Sequence, residues 1–326
     1  MEMNNPYYID WIRRWGSSTT DAILDPSCKI FTTSNIPGMI GYRLEFGCVY
    51  VFGDPVCSKE TKDEFVEAFH RYCNENQWNV IYVITSLEFK NWAITNKYTQ
   101  ISIEFGEELF IDPQKDPRAE TGNHASLVRR KVKHAQNEGV TAHEYVNSDI
   151  KIEHAIEQVG IKWLKNRKGP QIHISNVHLF ENRLGKRWFF AQCNDSIVGV
   201  LLLNKLEAHD GWLMNHLMIT PEAPHGTPEL LVVTALETVA NENCHYVTFG
   251  ATPNKEIKEI IGLKKTGSCI VRKIFSTARW IFNLDSRKTF WEKFHPQGTP
   301  TYLLFKNPRI KIKDIAGLMR AMNAKF

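Results

Sequence analysis

Two stretches of the chain, one starting near residue 42 and one near residue 211, run through the same order of strand, turn, helix and strand with the same spacing. In the first, residues 42–52 are rich in aromatic and β-branched side chains and close at Gly53-Asp54-Pro55, where a turn glycine and a fixed-φ proline stop the strand. Thr61 and Glu64 then have capping-box spacing. Phe65, Phe69, Tyr72 and Cys73 recur at i, i+4, i+7 and i+8, as a helix with one buried face requires. Residues 79–85 read as a buried strand. In the second stretch, residues 211–219 read as a strand, 221–228 as a turn, 229–241 as a helix and 246–249 as the next strand. Pro55 and Tyr82 are 27 positions apart, and so are Pro221 and Thr248, which predicts a duplicated module. Before the second copy, residues 187–193 and 197–205 are predicted strands joined by Asn194-Asp195-Ser196, a connection short enough for a hairpin.

A chain of 326 residues, 43% hydrophobic and 23% charged, is long enough for two cores of ordinary size. The expected division is an N-terminal domain over 1–120 and a C-terminal domain over 121–326 carrying the active site. A net charge of +4 is too small to imply a nucleic-acid partner by itself, so any basic surface must be local. The seven cysteines are widely spaced with no C-x-x-C pair and read as reduced thiols. There is no H-E-x-x-H, and His173 and His178 stand without ligands at metal spacing, so neither a metal nor a resident cofactor is expected. The start, MEMNNPYYIDW, lacks a basic flank followed by an apolar core, and the longest apolar run, 197–203, is far short of the roughly 20 residues that span a bilayer. The expected location is the cytoplasm, with peripheral contact at the inner membrane face.

The order hairpin, strand, turn, helix, strand resembles the Gcn5-related N-acetyltransferase fold. The resemblance implies an α/β (α+β) protein of two tandem acetyltransferase-like domains, each a mixed, mainly antiparallel sheet flanked by helices. In that fold one strand parts from the next, and the gap holds the ester or thioester under attack. The fold's coenzyme A loop reads Q/R-x-x-G-x-G/A, whereas here the turn reads Ala223-Pro224-His225-Gly226-Thr227-Pro228. The basic residue is missing, and Pro228 removes a backbone donor that a pyrophosphate would use.

A more specific pattern lies in Gly41-Tyr42-Arg43 followed by Gly53-Asp54-Pro55, in Leu127-Val128-Arg129-Arg130-Lys131-Val132-Lys133-His134-Ala135 with Glu138-Gly139, and in Phe249-Gly250-Ala251-Thr252-Pro253. Near the end come Phe290-Trp291-Glu292-Lys293-Phe294-His295-Pro296 and Tyr302-Leu303. In this order they resemble the C-terminal catalytic domain of the phosphatidylglycerol lysyltransferases, over roughly residues 31–316. The resemblance implies an enzyme that moves an amino acid from aminoacyl-tRNA to a lipid hydroxyl or another hydroxyl or amine acceptor. It also implies substrate contacts at Gly226, Lys293 and Tyr302. Three departures stand out. Where the family has Asp-Leu-Met-Arg this chain has His216-Leu217-Met218-Ile219, and before Tyr302 it has Gly298-Thr299-Pro300-Thr301 in place of a Trp, Pro and Arg pattern. The membrane-spanning region that precedes the domain in many relatives has no counterpart in this sequence.

Aminoacyl transfer starts from an activated ester and needs positioning, a base for the nucleophile and donors for the oxyanion. His216, at the place of the family's Asp, is the candidate base, and Asn215 on the opposite strand face is the second candidate. A hydrogen-bonded core histidine sharing a face with Trp212, Met214 and Met218 is the alternative for His216. Gly250, Ala251 and Thr252 are small enough to let a substrate approach the backbone. On a helix over 126–138, Val128, Val132 and Ala135 share one side while Arg129, Arg130, Lys133 and His134 form a cationic stripe suited to tRNA phosphates. Lys162, Lys165, Arg167 and Lys168 beside Trp163, and Lys264, Lys265, Arg272 and Lys273, form further basic clusters for nucleic acid or anionic lipid. The stripe Ile315, Leu318, Met319, Met322 and Phe326 either packs on the body or touches a bilayer. An acyl-coenzyme A-dependent N-acyltransferase and a non-catalytic binding protein on the same scaffold are the competing functions.

Overall fold

A computed structural model of the chain describes residues 6–324 apart from 147, 168, 171–176 and 178. The first copy runs α1 (Pro6–Trp15), β1 (Lys29–Phe31), β2 (Gly38–Glu45), β3 (Cys48–Phe52), β4 (Val56–Cys57), α2 (Lys62–Glu75), β5 (Asn79–Thr85), α3 (Leu87–Thr95) and β6 (Ile101–Ile111). Then come α4 (Asn123–Asn137), β7 (Val140–Tyr145), α5 (Ile150–Asn166), β8 (Lys186–Cys193), β9 (Ser196–Leu206), β10 (Gly211–Ile219), α6 (Thr227–Asn241) and β11 (Val247–Pro253). The chain ends with β12 (Ile260–Ile261), α7 (Lys265–Ile281), α8 (Asp285–Glu292), β13 (Gln297–Phe305) and α9 (Ile312–Ala321).

The stretch 42–52, read as one strand, is two. Phe46 and Gly47 both adopt the left-handed region (φ 51° and 71°) and turn β2 back onto β3, with Glu45 opposite Cys48. Positive φ at both loop positions is the geometry of the tightest hairpins, and a phenylalanine there gives no turn signal in sequence. The α2 helix buries Phe65, Val66, Phe69 and Cys73 as its spacing predicts. Its expected capping box is absent, because the Thr61 hydroxyl lies 3.1 Å from Ser58 Oγ and caps no helical N–H.

Both copies share one topology. In the first, β1–β2 and β2–β3 pair antiparallel and β3–β5 parallel; in the second, β8–β9 and β9–β10 pair antiparallel and β10–β11 parallel. The copies then exchange strands. The β6 strand of the first copy pairs with β11 of the second, and β13, which follows the second copy, pairs with β5 of the first. These two strands also pair with each other from Gln297 opposite Phe110 to Phe305 opposite Ile101. One continuous sheet results, in the order β1-β2-β3-β5-β13-β6-β11-β10-β9-β8-β7.

Apolar clusters cover the sheet on both faces. Helices α4, α6 and α8 pack Val128, Leu231, Val239 and Trp291, with Phe294 just past α8, against Phe189, Leu201 and Phe249. On the other face of the second copy, α5 sets Ile156 and Val159 against Trp188, Leu202 and Met218. Leu318 of α9 and Met322 just after it lie against the cluster of Tyr50, Phe52 and Ile81, so this part of the C-terminal stripe packs on the body; Phe326 lies outside the described residues.

Leu304 on β13 is fully buried among first-copy side chains. Leu304→Ala is expected to lower stability by about 2–5 kcal/mol. Hydrogen exchange followed separately over β2–β5 and β8–β11 should show both regions losing protection together; loss confined to one copy would contradict a sheet whose halves depend on each other.

Candidate functional site in the gap between β10 and β11

The parallel pair β10–β11 is held at only two positions, Trp212 opposite Val247 and Leu213 opposite Thr248. Beyond them the strands part: β10 continues along β9 as far as Ile219 opposite Gly199, and β11 continues along β6 as far as Pro253 opposite Gly106. Irregularities between Met214 and His216 and between Thr248 and Gly250 mark where each strand bends away. A bulge adds one residue and increases the local twist, which is how a pair is terminated without ending either strand. The β11-facing backbone of β10 past Leu213 is therefore left without a partner strand, a set of polar groups that a substrate carbonyl can use.

The bulge resets the alternation on β10. Trp212 and Met214 pack toward α6, whereas Met218 packs toward α5. His216 follows the bulge in step with Met218, so it does not share a face with Trp212 and Met214 as a regular strand would require. It is half-buried on the α5 side, and Asn215, the added residue, is half-buried at the bend itself.

Gly250 (φ 79°) opens the β11 side of the gap, and its N–H donates to Thr248 Oγ1 at 3.0 Å. Thr252 is buried and donates to the Glu107 carbonyl at 3.3 Å, while Ala251 is half-buried opposite Glu108. Arg287 of α8, which gave no signal in sequence, donates from Nη2 to the Phe249 carbonyl at 2.8 Å. The residue is exposed, yet desolvation by surrounding protein atoms, and then the charge of Arg167 at the end of α5, hold its pKa below the usual guanidinium value. Two guanidinium groups thus lie near the gap, and among the described residues neither has a carboxylate partner. Lys288, one residue on, pairs with Glu107 and reaches Asn254 Oδ1 at 3.3 Å.

Three of the sequence candidates lie elsewhere. Gly226 caps α6 with φ 94°, and a Cβ there would stand 2.0 Å from the Lys131 carbonyl oxygen, so glycine is required by the packing of α6 on α4. Lys293 is engaged with the buried Glu229 at 2.5 Å and lies 3.9 Å from the Phe290 ring centre. Tyr302 is buried in the first copy beneath Lys90, where burial, then Glu104 and Glu259, push its phenol up to about 12. The basic stripe does face outward: Val128, Val132 and Ala135 are buried while Arg129, Arg130, Lys133 and His134 are exposed. Arg129 is tied to the carbonyls of Arg118 and Glu120, His134 lies beside the His225 ring, and Arg130 and Lys133 have no ion pair among the described residues. Lys168, His173 and His178 lie outside the described residues.

Carboxylates missed in sequence sit beside this site. Glu108 of β6 accepts from Thr248 Oγ1 at 2.8 Å and Tyr246 Oη at 3.2 Å. Asp54, read only as a turn residue, accepts from the Ser86 N–H at 3.0 Å, and burial lifts its pKa from 3.8 to about 6, with Glu88 and Glu108 adding to the rise.

Two acetyltransferase-like copies, the second with a parted strand pair beside cationic side chains, make this an enzyme of the acyl- and aminoacyltransferase class. A family model, described as phosphatidylglycerol lysyltransferase, C-terminal, matches residues 13–305, and the chain belongs to that family. Its structure is similar to the C-terminal domain of a putative lysylphosphatidylglycerol synthetase from Agrobacterium fabrum, with a TM-score of 0.79 at 16% identity over 99% of this chain and 98% of that one. It is similar as well to L-PGS from Bacillus licheniformis, with a TM-score of 0.79 at 15% identity over 98% and 96% of the two chains. A conserved protein of unknown function from Bacteroides thetaiotaomicron gives a TM-score of 0.61 at 8% identity, over 93% of this chain and 98% of that one. These three likenesses are of fold. No curated protein matches the chain in sequence.

Because the native pKa of Asp54 lies above its unfolded value, the unfolded chain releases this proton first as pH rises from about 4 to about 6. The carboxylate therefore lowers stability at neutral pH by about 2 pKa units, on the order of 2–3 kcal/mol. Asp54→Asn is expected to be more stable than the parent at pH 7 and equal to it near pH 3.5, measured by urea unfolding. A variant no more stable at pH 7 would remove Asp54 as a strained group.

Proposed function

We propose that this protein transfers an aminoacyl group from aminoacyl-tRNA to a hydroxyl of an anionic, phosphatidylglycerol-like lipid. The observation that carries the proposal is the parting of β10 from β11 after Leu213 and Thr248, in a chain matched along 13–305 by the lysyltransferase family. The second half, from residue 121, carries the reaction, and the first, to residue 120, completes its frame through β6. The aminoacyl ester lies in the gap with its carbonyl toward the unpaired backbone of β10. The lipid hydroxyl attacks the carbonyl carbon and gives its proton to His216, the ester bond to the terminal ribose breaks, and the ribose oxygen takes a proton back. Asn215, Gly250, Ala251 and Thr252 border the path. Arg287 and Arg167 offer charge to a phosphate near the gap.

Arg130 and Lys133 on α4, free of carboxylate partners among the described residues, suit a tRNA backbone, with His134 and Arg129 beside them. Acyl-coenzyme A fits less well. The N-terminus of α6, where a pyrophosphate would sit, is covered by the α4 backbone at Gly226 and already holds the Glu229 carboxylate with Lys293.

The acceptor's surface can be met by α7. No helix of the described residues is long and apolar enough to cross a membrane. Along α7, however, Ile270, Ile274 and Trp280 are 59%, 41% and 83% exposed, while Val271 and Phe275 on its other side pack on the body. Lys264, Lys265 and Lys273 beside them have no ion pair among the described residues. Apolar and aromatic side chains flanked by lysines suit the interface of an anionic bilayer on the cytoplasmic side.

Incubation with labelled aminoacyl-tRNA and phosphatidylglycerol vesicles is expected to give labelled lipid that prior RNase treatment abolishes; label that never leaves tRNA would refute the assignment. His216→Ala should lower turnover by roughly 10²–10⁴-fold, the usual range for a general base. Unchanged turnover would take His216 out of the reaction. Co-sedimentation should show binding to phosphatidylglycerol vesicles that weakens with salt and with Trp280→Ala, and equal binding to phosphatidylcholine vesicles would exclude α7 as an anionic-surface contact.

A further inference from the structure

A side chain of the first copy reaches the bend in β11. Pairing between β11 and β6 passes from Thr248 opposite Phe110 directly to Gly250 opposite Leu109, so Phe249 is the added residue of the bulge. The Thr248 hydroxyl fills the break. It accepts from the Gly250 N–H at 3.0 Å, and both the Leu109 carbonyl at 2.9 Å and Glu108 Oε1 at 2.8 Å lie within reach of its single proton. Thr248 and Phe249 are fully buried. Glu108 Oε1 also accepts from Tyr246 Oη at 3.2 Å. Burial, and then the charge of Glu108, push the Tyr246 phenol above its usual value, so it keeps its proton and donates. The Tyr246 ring stacks on Phe110 and His209, with centres 5.4 and 4.8 Å away.

A hydroxyl has one proton to give, and a carboxylate takes it in preference to a carbonyl because the charge strengthens the bond. With that proton turned to Glu108, the lone pairs of Thr248 Oγ1 face the Gly250 N–H, and the two bonds polarise each other. The Gly250 backbone is thereby held at φ 79°, and the Phe249 carbonyl before it accepts from Arg287 Nη2 at 2.8 Å. A Cβ on Gly250 would stand 3.3 Å from that same nitrogen, so the guanidinium lies directly against the bend. Both side-chain partners of Glu108 among the described residues are neutral hydroxyls at the start of β11, so its contacts serve the bend and no ion pair.

We propose that Glu108 is a positioning residue of the transfer reaction: acting through Thr248, it fixes the β11 bend that sets Gly250 and the Arg287 guanidinium against the gap. The proposal rests on the aminoacyl-transfer reading of that gap. It makes the second copy's site incomplete without a side chain of the first.

Two measurements on the intact protein test it: hydrogen exchange of the Gly250 amide, followed by NMR with isotopically labelled glycine, and steady-state transfer from aminoacyl-tRNA to phosphatidylglycerol vesicles. In Glu108→Met and in Thr248→Val the Gly250 amide is expected to exchange roughly tenfold faster than in the parent, the loss of about one hydrogen bond. In the same variants kcat should fall roughly 10-fold to 10²-fold, the cost of an ångström-scale misplacement, with KM for aminoacyl-tRNA within about twofold. Glu108→Gln and Thr248→Ser, which keep an acceptor and a hydroxyl, should recover most of both. Because Glu108→Met and Thr248→Val cut one chain of contacts, combining them should cost no more kcat than either alone. Should Glu108→Met not fold, Glu108→Ala takes its place. An unchanged Gly250 exchange rate, losses that multiply in the double variant, or a lowered melting temperature with parent-like kcat would each overturn the positioning role. The exchange measurement also separates the two claims. No transfer by the parent, with Gly250 exchange altered as expected, sinks the tRNA reaction and leaves Glu108 in control of the bend; transfer that Glu108→Met leaves undiminished sinks the positioning role and leaves the transferase.

Discussion

The pairing of β6 with β13 is the contact on which the rest of the molecule depends. Each copy repeats the same run of strand pairs, antiparallel, antiparallel and parallel, and then continues its sheet with a strand from the other side of the molecule. Because β6 lies between β13 and β11, the first copy's last strand backs β11, one wall of the second copy's gap. The two halves therefore cannot shift independently without breaking a ladder that runs the length of β13. A gap between strands needs such a frame, since parted strands lose the hydrogen bonds that would otherwise fix their separation.

Local irregularities then place the chemistry inside this frame. One added residue at Asn215 turns His216 toward α5 and away from the face of Met214, and a second irregularity after Thr248 lets Gly250 turn its N–H back to a threonine hydroxyl. The Phe249 carbonyl, set at this bend, is met by Arg287 from α8, and the Phe249 ring stacks on Trp291 of the same helix with centres 4.2 Å apart. One short helix thus fixes the bend by packing and brings a cation to it. Asp54 shows the opposite arrangement, a carboxyl that burial disfavours and only neutral donors support.

Much of the frame was legible in the sequence and much of the site was not, for a common reason. The equal spacing of turn, helix and strand depends on local patterns, so β5 and β10 appear within the bounds read from them, and the buried side of α4 is the one its periodicity indicates. The β2–β3 turn was missed because Phe46 is a residue that rarely adopts positive φ. The face of His216 was misjudged because period-two reasoning cannot see an added residue. Arg287, Asp54 and Glu108 come from three distant parts of the chain, and the strand exchange brings them near the gap. Lys293 and Tyr302, carried over by resemblance, instead occupy an internal ion pair and the first copy's core.

Duplication gives two similar frames, and these two have diverged in charge. Around the first copy's strand ends stand Asp54, Glu88 and Glu108; near the second copy's stand Arg287 and Arg167. An aminoacyl ester on tRNA is itself polar in the same sense, cationic at its amine and anionic along its phosphates. For the aminoacyl transfer proposed above, opposite charges on either side of the reaction gap favour one orientation of such a donor over the reverse. A single acetyltransferase-like unit has one set of strand ends and can carry one such preference. Joining two copies through β6 and β13 fixes the distance between the two sets of strand ends.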